Sequence, residues 1–290
     1  DDLENYVKRA FKDHPERPLL IDQFLEDAIE IDVDALSDGN DCVIAGIMQH
    51  IEEAGVHSGD SASVLPPYSI SEDLMDEIRT ATINIATKLS VVGLLNIQYA
   101  IRQNELYILE VNPRASRTVP FVAKATGVAW AAHATEVMLG KTIKELGLTE
   151  VNVDHISVKE SVFPFKRFPG VDTLLGPEMR STGEVMGLDK SLGRAFLKSQ
   201  MSAGQVIPKS GTVFISVKDK DKDRIISIAQ KICDLGLTIV ATKGTYDYLK
   251  EQGIESKQIF KVNEGRPNVV DELKSEQIQM VINTPSGKDS

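Results

Sequence analysis

Cysteine is nearly absent from this chain. Cys42 and Cys233 are the only two in 290 residues, far apart and in apolar settings. They imply no disulfide framework. Two buried free thiols in a reducing cytosol fit better, so a cytoplasmic location is expected. Histidine is scarce too: five residues without ligand spacing argue against a zinc site. His57 and Ser58 are neighbours, but no nucleophile–base–acid constellation surrounds them, which argues against a hydrolase triad. Positive charge is in deficit, with 32 Lys and Arg against 43 Asp and Glu and a net charge of −11. That balance argues against broad binding to a nucleic-acid backbone. Any phosphate contacts must be local clusters. No apolar run is long enough to span a membrane. The acidic start, Asp1-Asp-Leu-Glu4, is not that of a signal peptide. The single tryptophan, Trp130, falls in a helical pattern and is expected in the core.

The content that remains is that of a globular protein, 42% hydrophobic and 26% charged. Its length suggests two domains. Residues 1–12 have helical spacing. Residues 18–24 read as a strand with Pro18 at its entry. Residues 30–36 alternate acidic and apolar side chains, the pattern of a half-exposed strand. Asp38-Gly-Asn40 turns it into a further strand over 42–50. Ser71 caps a helix running to about Leu89, with acids in its first turn and Leu74, Ile78, Ile85 and Leu89 buried. Helices are expected over 119–127 and 129–139. Residues 141–208 are Gly- and Pro-rich and read as a connecting region packed on its neighbours. From Gly211 strands at 213–217, 238–242, 258–262 and 279–284 alternate with helices at 221–235, 245–251 and 269–274. That is a parallel α/β pattern. The expected organisation is an α+β lobe (1–140), the connecting region (141–208) and a doubly wound parallel α/β domain (209–290). Both ends are expected to be truncated.

The most informative stretch is Glu110-Val-Asn112-Pro-Arg114 at the end of an apolar strand. Residues i and i+2 of a strand share a face, so Glu110 and Asn112 offer two oxygens side by side. Arg114 and Arg117 follow. Oxygen ligands suit Mg²⁺, which takes one or two carboxylates and completes its shell with phosphates and water. The preceding run, 94–101, is separated by Arg102-Gln-Asn104. With a three-residue loop Ile101 pairs with Glu105, Ile108 lies opposite Gln98 and Glu110 opposite Asn96. Gln98, Glu110 and Asn112 then share one face. A two-residue loop would shift the parity and turn Gln98 away. A hairpin with polar residues on a solvated face is the plainer alternative.

Three other segments carry chemistry. Gly55-Val56-His57-Ser58-Gly-Asp60 allows close backbone approach to a ligand, or is an ordinary turn. Gln23-Phe-Leu25-Glu26, with Glu30 beyond, offers an extended backbone for an adenine edge and a carboxylate for ribose, or is a solvated strand end. Thr242-Lys-Gly-Thr245 sits between a strand and a helix N-terminus, a place that favours phosphate. Asn283-Thr284 and Lys261 reach the same end of that sheet, where open α/β sheets bind ligands. Helix capping by Thr is the alternative.

Taken together, Asp32-Val-Asp34-Ala, Gly46-Ile-Met-Gln-His50-Ile, Ala54-Gly-Val-His57-Ser58-Gly-Asp60-Ser, Gln98, Glu110-Val-Asn112-Pro-Arg114-Ala-Ser-Arg117-Thr-Val-Pro-Phe and Leu175-Gly-Pro-Glu-Met-Arg180-Ser-Thr-Gly-Glu-Val-Met186 closely resemble the carbamoyl phosphate synthetase large subunit. The match is to its second ATP-grasp half. From about Gly211 the chain resembles the same subunit's methylglyoxal-synthase-like allosteric domain. The resemblance implies ATP-dependent phosphorylation of carbamate to carbamoyl phosphate, for arginine and pyrimidine biosynthesis. It implies ATP, Mg²⁺ or Mn²⁺, and K⁺. The implied partners are a glutaminase small subunit, the N-terminal part of the large subunit, nucleotide effectors and ornithine, with no nucleic acid and no membrane. Gln98, Glu110 and Asn112 match the family's metal ligands, and Arg117 and Arg114 the residues that hold the phosphoryl group or carbamate. Gln23 and Leu25 match adenine contacts, Glu30 the ribose contact, and Gly55, Val56, His57 and Ser58 the loop against the nucleotide. Glu52, Asp60 and Glu160 match the acids of an ornithine site. Lys222, Thr242, Thr245, Lys261, Asn283 and Thr284 match a nucleotide effector site.

There are departures. The lobe that carries the family's glycine-rich phosphate loop has no counterpart in these residues, so the piece by itself is expected to be catalytically weak or dead. Pro285 stands where the effector site tends to carry another hydroxyl. Two alternatives remain: a binding module that senses nucleotides without catalysis, and another ATP-grasp ligase such as a biotin-dependent carboxylase, against which the α/β domain after Gly211 speaks.

Overall fold

The computed structural model describes residues 2–13, 15–168 and 170–284. Pro285 lies outside them. The chain divides into two compact units, 1–204 and 205–290.

The first unit begins with helix α1 (Asp2–Asp13). The strand expected over 18–24 is not formed. Leu20, Ile21 and Phe24 are all exposed there. The run is apolar enough for a strand, but no described strand lies beside it to complete a ladder.

Seven strands then build one antiparallel sheet: β1 (Ile29–Asp38), β2 (Cys42–His50), β3 (Ser63–Leu65), β4 (Val92–Arg102), β5 (Glu105–Asn112), β6 (Ile156–Val162) and β7 (Gly183–Asp189). Their order is β5-β4-β1-β2-β3-β6-β7. The segment expected to be a connecting region thus supplies two strands of the sheet. Its helix α5 (Leu192–Ser202) packs on them. Gly187 on β7 makes this possible, because a Cβ there would collide with the Ala195 carbonyl and the Ser199 amide of α5.

Strand β1 is not half-exposed. Residues 31–37 are all buried, because both faces are covered. Ile31, Val33 and Ala35 join Ile97, Tyr99 and helix α2 (Glu72–Lys88) in one core. Leu36 and Leu94 join α3 (Val119–Thr126), α4 (Trp130–Met138) and the fully buried Trp130 on the other. Ser71 caps α2 as expected, its hydroxyl accepting from the Leu74 amide. Leu89 is not buried; it is the C-cap and stands in solvent. Asp32 and Asp34 alternate with the first set and lie on the α3–α4 side of the sheet.

The hairpin register differs from the expectation. The turn has two residues, Gln103 and Asn104, both with positive φ (53° and 64°), and Arg102 pairs with Glu105. That is the primed two-residue hairpin, for which Asn is well suited. The shorter loop does shift the parity. A bulge then shifts it back: Tyr99 pairs with Ile108, Gln98 with Glu110, and Leu109 has no partner.

The second unit is a four-stranded parallel sheet of β8 (Thr212–Val217), β9 (Thr238–Thr242), β10 (Lys257–Ile259) and β11 (Met280–Thr284), in the order β10-β9-β8-β11. Helices α6 (Lys222–Asp234) and α7 (Lys243–Glu251) cover Ile215 and Ile239 on one face. Val269, from α8 (Val269–Lys274), packs with Phe214 and Val240 on the other. The order reverses beside β8, which makes the ends of β8 and β11 the switch point.

Candidate functional site

The face that β1 shares with Leu36 turns polar away from α3 and α4. Pairing carries the row across the sheet: Asp32 faces Gln98 and Asp34 faces Asn96. Gln98 faces Glu110 and Asn96 faces Asn112. The three oxygen-bearing side chains expected as metal ligands are therefore neighbours. The Asn112 amide nitrogen donates to Glu110 Oε1 (2.7 Å) and that of Gln98 to Ser58 Oγ (2.9 Å). Each amide thus spends its nitrogen on a neighbour and keeps its oxygen for a ligand. One carboxylate and two amide oxygens fit a hard cation that brings phosphates with it. Among the described residues no group of three or more His, Cys, Asp or Glu could hold a metal by itself. A site of this kind relies on the ligand to complete the shell.

Beside the row opens a cleft of about 830 Å³, lined by His57, Ser58, Gln98, Arg114, Arg117 and Lys159 among others. Its loop wall is well tied. The His57 amide donates to the Gly176 carbonyl (2.9 Å), and the Gly59 carbonyl accepts from Ser161 Oγ (2.9 Å) and Ser181 Oγ (3.0 Å). Gly55 has φ 99°, which a side chain would strain. Its amide donates to Glu30 Oε1 (3.1 Å). Gln23 and Leu25 lie in the irregular stretch before β1 and do not line the cleft. Phe24 between them packs against Gly55, 3.0 Å from where a Cβ would sit. Val56 and Glu52 face a separate shallow groove with Leu174.

Two buried groups went unassigned in the sequence. His50 Nε2 lies 3.0 Å from Asp32 Oδ2, and its Nδ1 lies 3.2 Å from Glu30 Oε2. Burial alone would lower the imidazole, but the hydrogen bonds to Asp32 and Glu30 outweigh it and hold the pKa at about 9. His50 is charged at neutral pH. Lys159 on β6 is 1% exposed and donates to the Ser58 carbonyl (3.1 Å). Burial lowers its pKa against the pull of Asp32 and Glu184. A lysine and a histidine inside apolar strands give no periodic signal. The Asp32–Asp34 spacing of two was the one cue available.

The three acids matched to an ornithine site are differently engaged. Asp60 is 1% exposed, and its two oxygens accept from the Arg180 and Ser181 amides, both at 2.8 Å. Glu52 accepts from the Ala62 amide (2.7 Å) and Glu160 from the Gln200 side chain (2.6 Å). Burial, then the charge of Glu52, raises Glu160 to about 7.

In the second unit a pocket of about 730 Å³ is lined by Lys222, Thr242, Thr245, Lys261, Asn283 and Thr284. All six residues singled out in the sequence meet there. Thr242 is the N-cap of α7 without using its side chain on the helix, so the first amides of that helix remain available. Lys222 Nζ sits beside them, 3.8 Å from where a Gly244 Cβ would be. Lys243, the lysine inside the Thr-Lys-Gly-Thr run, pairs instead with Asp247 (2.8 Å).

Residues 1–146 match the family model described as carbamoyl-phosphate synthase L chain, ATP binding domain, and residues 224–290 match the MGS-like domain. Relatives span the whole chain. The carbamoyl phosphate synthase large chain of Archaeoglobus fulgidus is 55% identical over 288 residues, 99% of this chain and 27% of its own length. That of Rhodopirellula baltica is 56% identical over 288 residues, 98% of this chain and 27% of its own. The large chain, C-terminal section, of Aquifex aeolicus is 52% identical over 305 residues, 99% of this chain and 57% of its own. The chain thus spans about a quarter of the complete large chains. An α+β ATP-grasp lobe whose edge strand carries Glu110 and Asn112, followed by a parallel MGS-like domain, places this chain in the carbamoyl phosphate synthase large-chain family.

Proposed function

We propose that the first unit is the metal-binding half of a MgATP site that phosphorylates carbamate within a carbamoyl phosphate synthase. The observation that carries this is the cross-strand pairing of Gln98 with Glu110 and of Asn96 with Asn112, beside a cleft that Gln98, Arg114 and Arg117 line and that Glu110 and Asn112 do not. A carbamate oxygen attacks the γ-phosphorus, the bond to ADP breaks, and carbamoyl phosphate forms. Arg117 and Arg114, which line the cleft, would hold the equatorial oxygens or the carbamate. That is electrostatic positioning, the main route to catalysis of phosphoryl transfer. Mg²⁺ or Mn²⁺, held by Gln98, Glu110 and Asn112, would neutralise charge on the phosphates. K⁺ is a further cation of this reading. The carbamate supply requires the large chain's N-terminal part and a glutaminase subunit. The products would feed arginine and pyrimidine biosynthesis in the cytoplasm.

The second unit, on the same reading, binds a nucleotide monophosphate effector through Lys222, Thr242, Thr245, Lys261, Asn283 and Thr284. Glu52, Asp60 and Glu160 are proposed to take the amino groups of ornithine. Titrating the chain with ATP and Mn²⁺, read by paramagnetic broadening, tests the first site; UMP and IMP test the second. Manganese-dependent ATP binding that Glu110→Gln abolishes supports the first reading, and broadening unchanged by that substitution overturns it. The convergence of six residues in the second pocket favours one further reading, a nucleotide sensor without catalysis. UMP or IMP binding with no ATP-dependent carbamoyl phosphate formation by the full-length enzyme would select it.

A further inference from the structure

We propose that Asp34 is the buried positioning residue that holds the arginine arm, residues 113–118, against the sheet. The functional part of this rests on the reading of Arg114 and Arg117 given above. Asp34 lies on β1 and is 1% exposed. Its Oδ1 accepts from Asn96 Nδ2 (2.9 Å) and from Ser116 Oγ (2.7 Å). Its Oδ2 accepts from Thr118 Oγ1 (2.5 Å). The two hydroxyls of the arm are themselves 2.7 Å apart. One carboxylate therefore gathers a neighbouring strand and two points of the arm.

The arm has few other ties. The Arg114 amide donates to the Asn112 carbonyl (2.8 Å), and the Arg114 guanidinium reaches only the Ala115 carbonyl (3.3 Å). Arg117 touches the Met179 sulfur. Neither guanidinium has a carboxylate partner among the described residues, so both keep their charge for a ligand. Arg117 sits between Ser116 and Thr118, the two residues that Asp34 holds. Fixing both flanks fixes its Cα.

The chemistry of the anchor points the same way. A threonine at an N-cap ordinarily lends its oxygen to the first amides of its helix. Thr118 is the N-cap of α3 and makes no such bond; its hydroxyl goes to Asp34 instead. A buried carboxylate is an expensive way to hold a loop, since packed apolar groups do it as well or better. Here burial lifts Asp34 to about 6, against the hydrogen bonds from Thr118, Ser116 and Asn96. What the carboxylate adds is direction: several donors converge on two oxygens, and each bond is charge-assisted. Asp34 does not itself line the cleft, whereas Asn96, Ser116, Thr118 and both arginines do. It acts through them.

The test uses the full-length large chain, assayed in the direction that needs no ammonia donor. Carbamoyl phosphate gives its phosphoryl group to ADP: the carbamate oxygen–phosphorus bond breaks, the ADP oxygen–phosphorus bond forms, and carbamate leaves. Asp34→Ala is expected to lower kcat by about ten- to a hundredfold, with KM for MgADP within about twofold. Asp34→Asn, which keeps the volume and one acceptor oxygen but turns an NH2 donor toward one side of the site, should recover only part of the loss. Ser116→Ala removes one arm bond and leaves Asp34 with Asn96 and Thr118, and it should give a smaller loss of the same kind. The deciding measurement is the double mutant. Arg117→Ala should cost far less in the Asp34→Ala background than alone; equal costs in the two backgrounds would overturn the proposal. Amide exchange over residues 116–119 supplies a readout independent of catalysis. It should quicken by about tenfold or more in Ser116→Ala and Asp34→Ala, while β1 and β4 stay protected. Unchanged exchange in the arm of both variants refutes the anchor. If the arm loosens and Arg117→Ala leaves turnover intact, the anchor stands and the role assigned to the arginines fails.

Discussion

Gln98 stands directly opposite Glu110 because Leu109 stands opposite nothing. The two-residue turn at Gln103-Asn104 puts the hairpin one residue out of phase with the pairing of Gln98 and Glu110, and the bulge restores it. Deleting Leu109 should therefore leave a flush ladder with Glu110 still facing Gln98. Affinity for MnATP is expected to hold within about threefold, because the bulge absorbs the lost residue. Deleting Val111 shortens the same strand by the same amount, yet places Asn112 next to Glu110 on the opposite face. That variant should lose at least about tenfold in affinity. Equal behaviour of the two deletions would show that parity does not govern this site.

His50 makes the stability of the first unit depend on alkaline pH. Its pKa is about 9 in the fold against 6.5 for a free imidazole. The stabilisation from its charge is complete below about 6.5 and is lost as pH rises through 9. The loss is on the order of 3 kcal/mol. Denaturant unfolding at pH 7 and pH 10 should show this fall in the wild-type chain. His50→Gln should be less stable at pH 7 and flatter across the same window.

Glu160 titrates near neutrality, with a pKa of about 7. A cationic amino group prefers the ionised acid. If Glu52 and Glu160 take the amine of ornithine, its affinity should rise by about tenfold from pH 6 to pH 8, as one proton is released on binding. Glu160→Gln should remove the pH dependence along with most of the affinity. Calorimetric titration in two buffers of different ionisation enthalpy would count the proton directly.

Lys222 is the cation set over the first turn of α7. Its replacement by Ala should weaken UMP or inorganic phosphate by about tenfold while leaving the melting temperature nearly unchanged, since its ion-pair partner Asp219 stands in solvent. Lys243→Ala should change neither, because that side chain pairs with Asp247 away from the pocket. Equilibrium dialysis with labelled UMP would separate the two.

Much of this was legible in the residues, for reasons that can be named. Ser71 announced its helix because a cap and an acidic first turn are local. The second unit's strands and helices were readable because alternation of two periods is a strong pattern, and the meeting of Thr242, Lys261, Asn283 and Thr284 in one pocket because strand ends in parallel sheets converge. The hairpin failed differently: the side chains were assigned to the right face through the wrong register. A turn of two residues and a bulge of one cancel, and neither leaves a mark on periodicity. The run 18–24 misled because apolar content says a segment would suit a strand, not that a neighbour is there to pair with it. Lys159 and His50 were missed because their burial comes from strands remote in sequence.

One residue contributes by what it does not have. Gly187 lets the backbone of α5 rest on β7 with only a hydrogen between them. Gln200, on that helix, reaches across to Glu160 on the adjoining strand. The gap between an amide and a half-ionised acid is thus gauged by the thinnest spacer a protein can insert. A single methyl at position 187 would jack the helix outward and unhook Gln200. Glu160 would then lose one of the contacts that hold its pKa down, and keep only the pull of Lys159 and the Ser161 backbone against burial and Glu52.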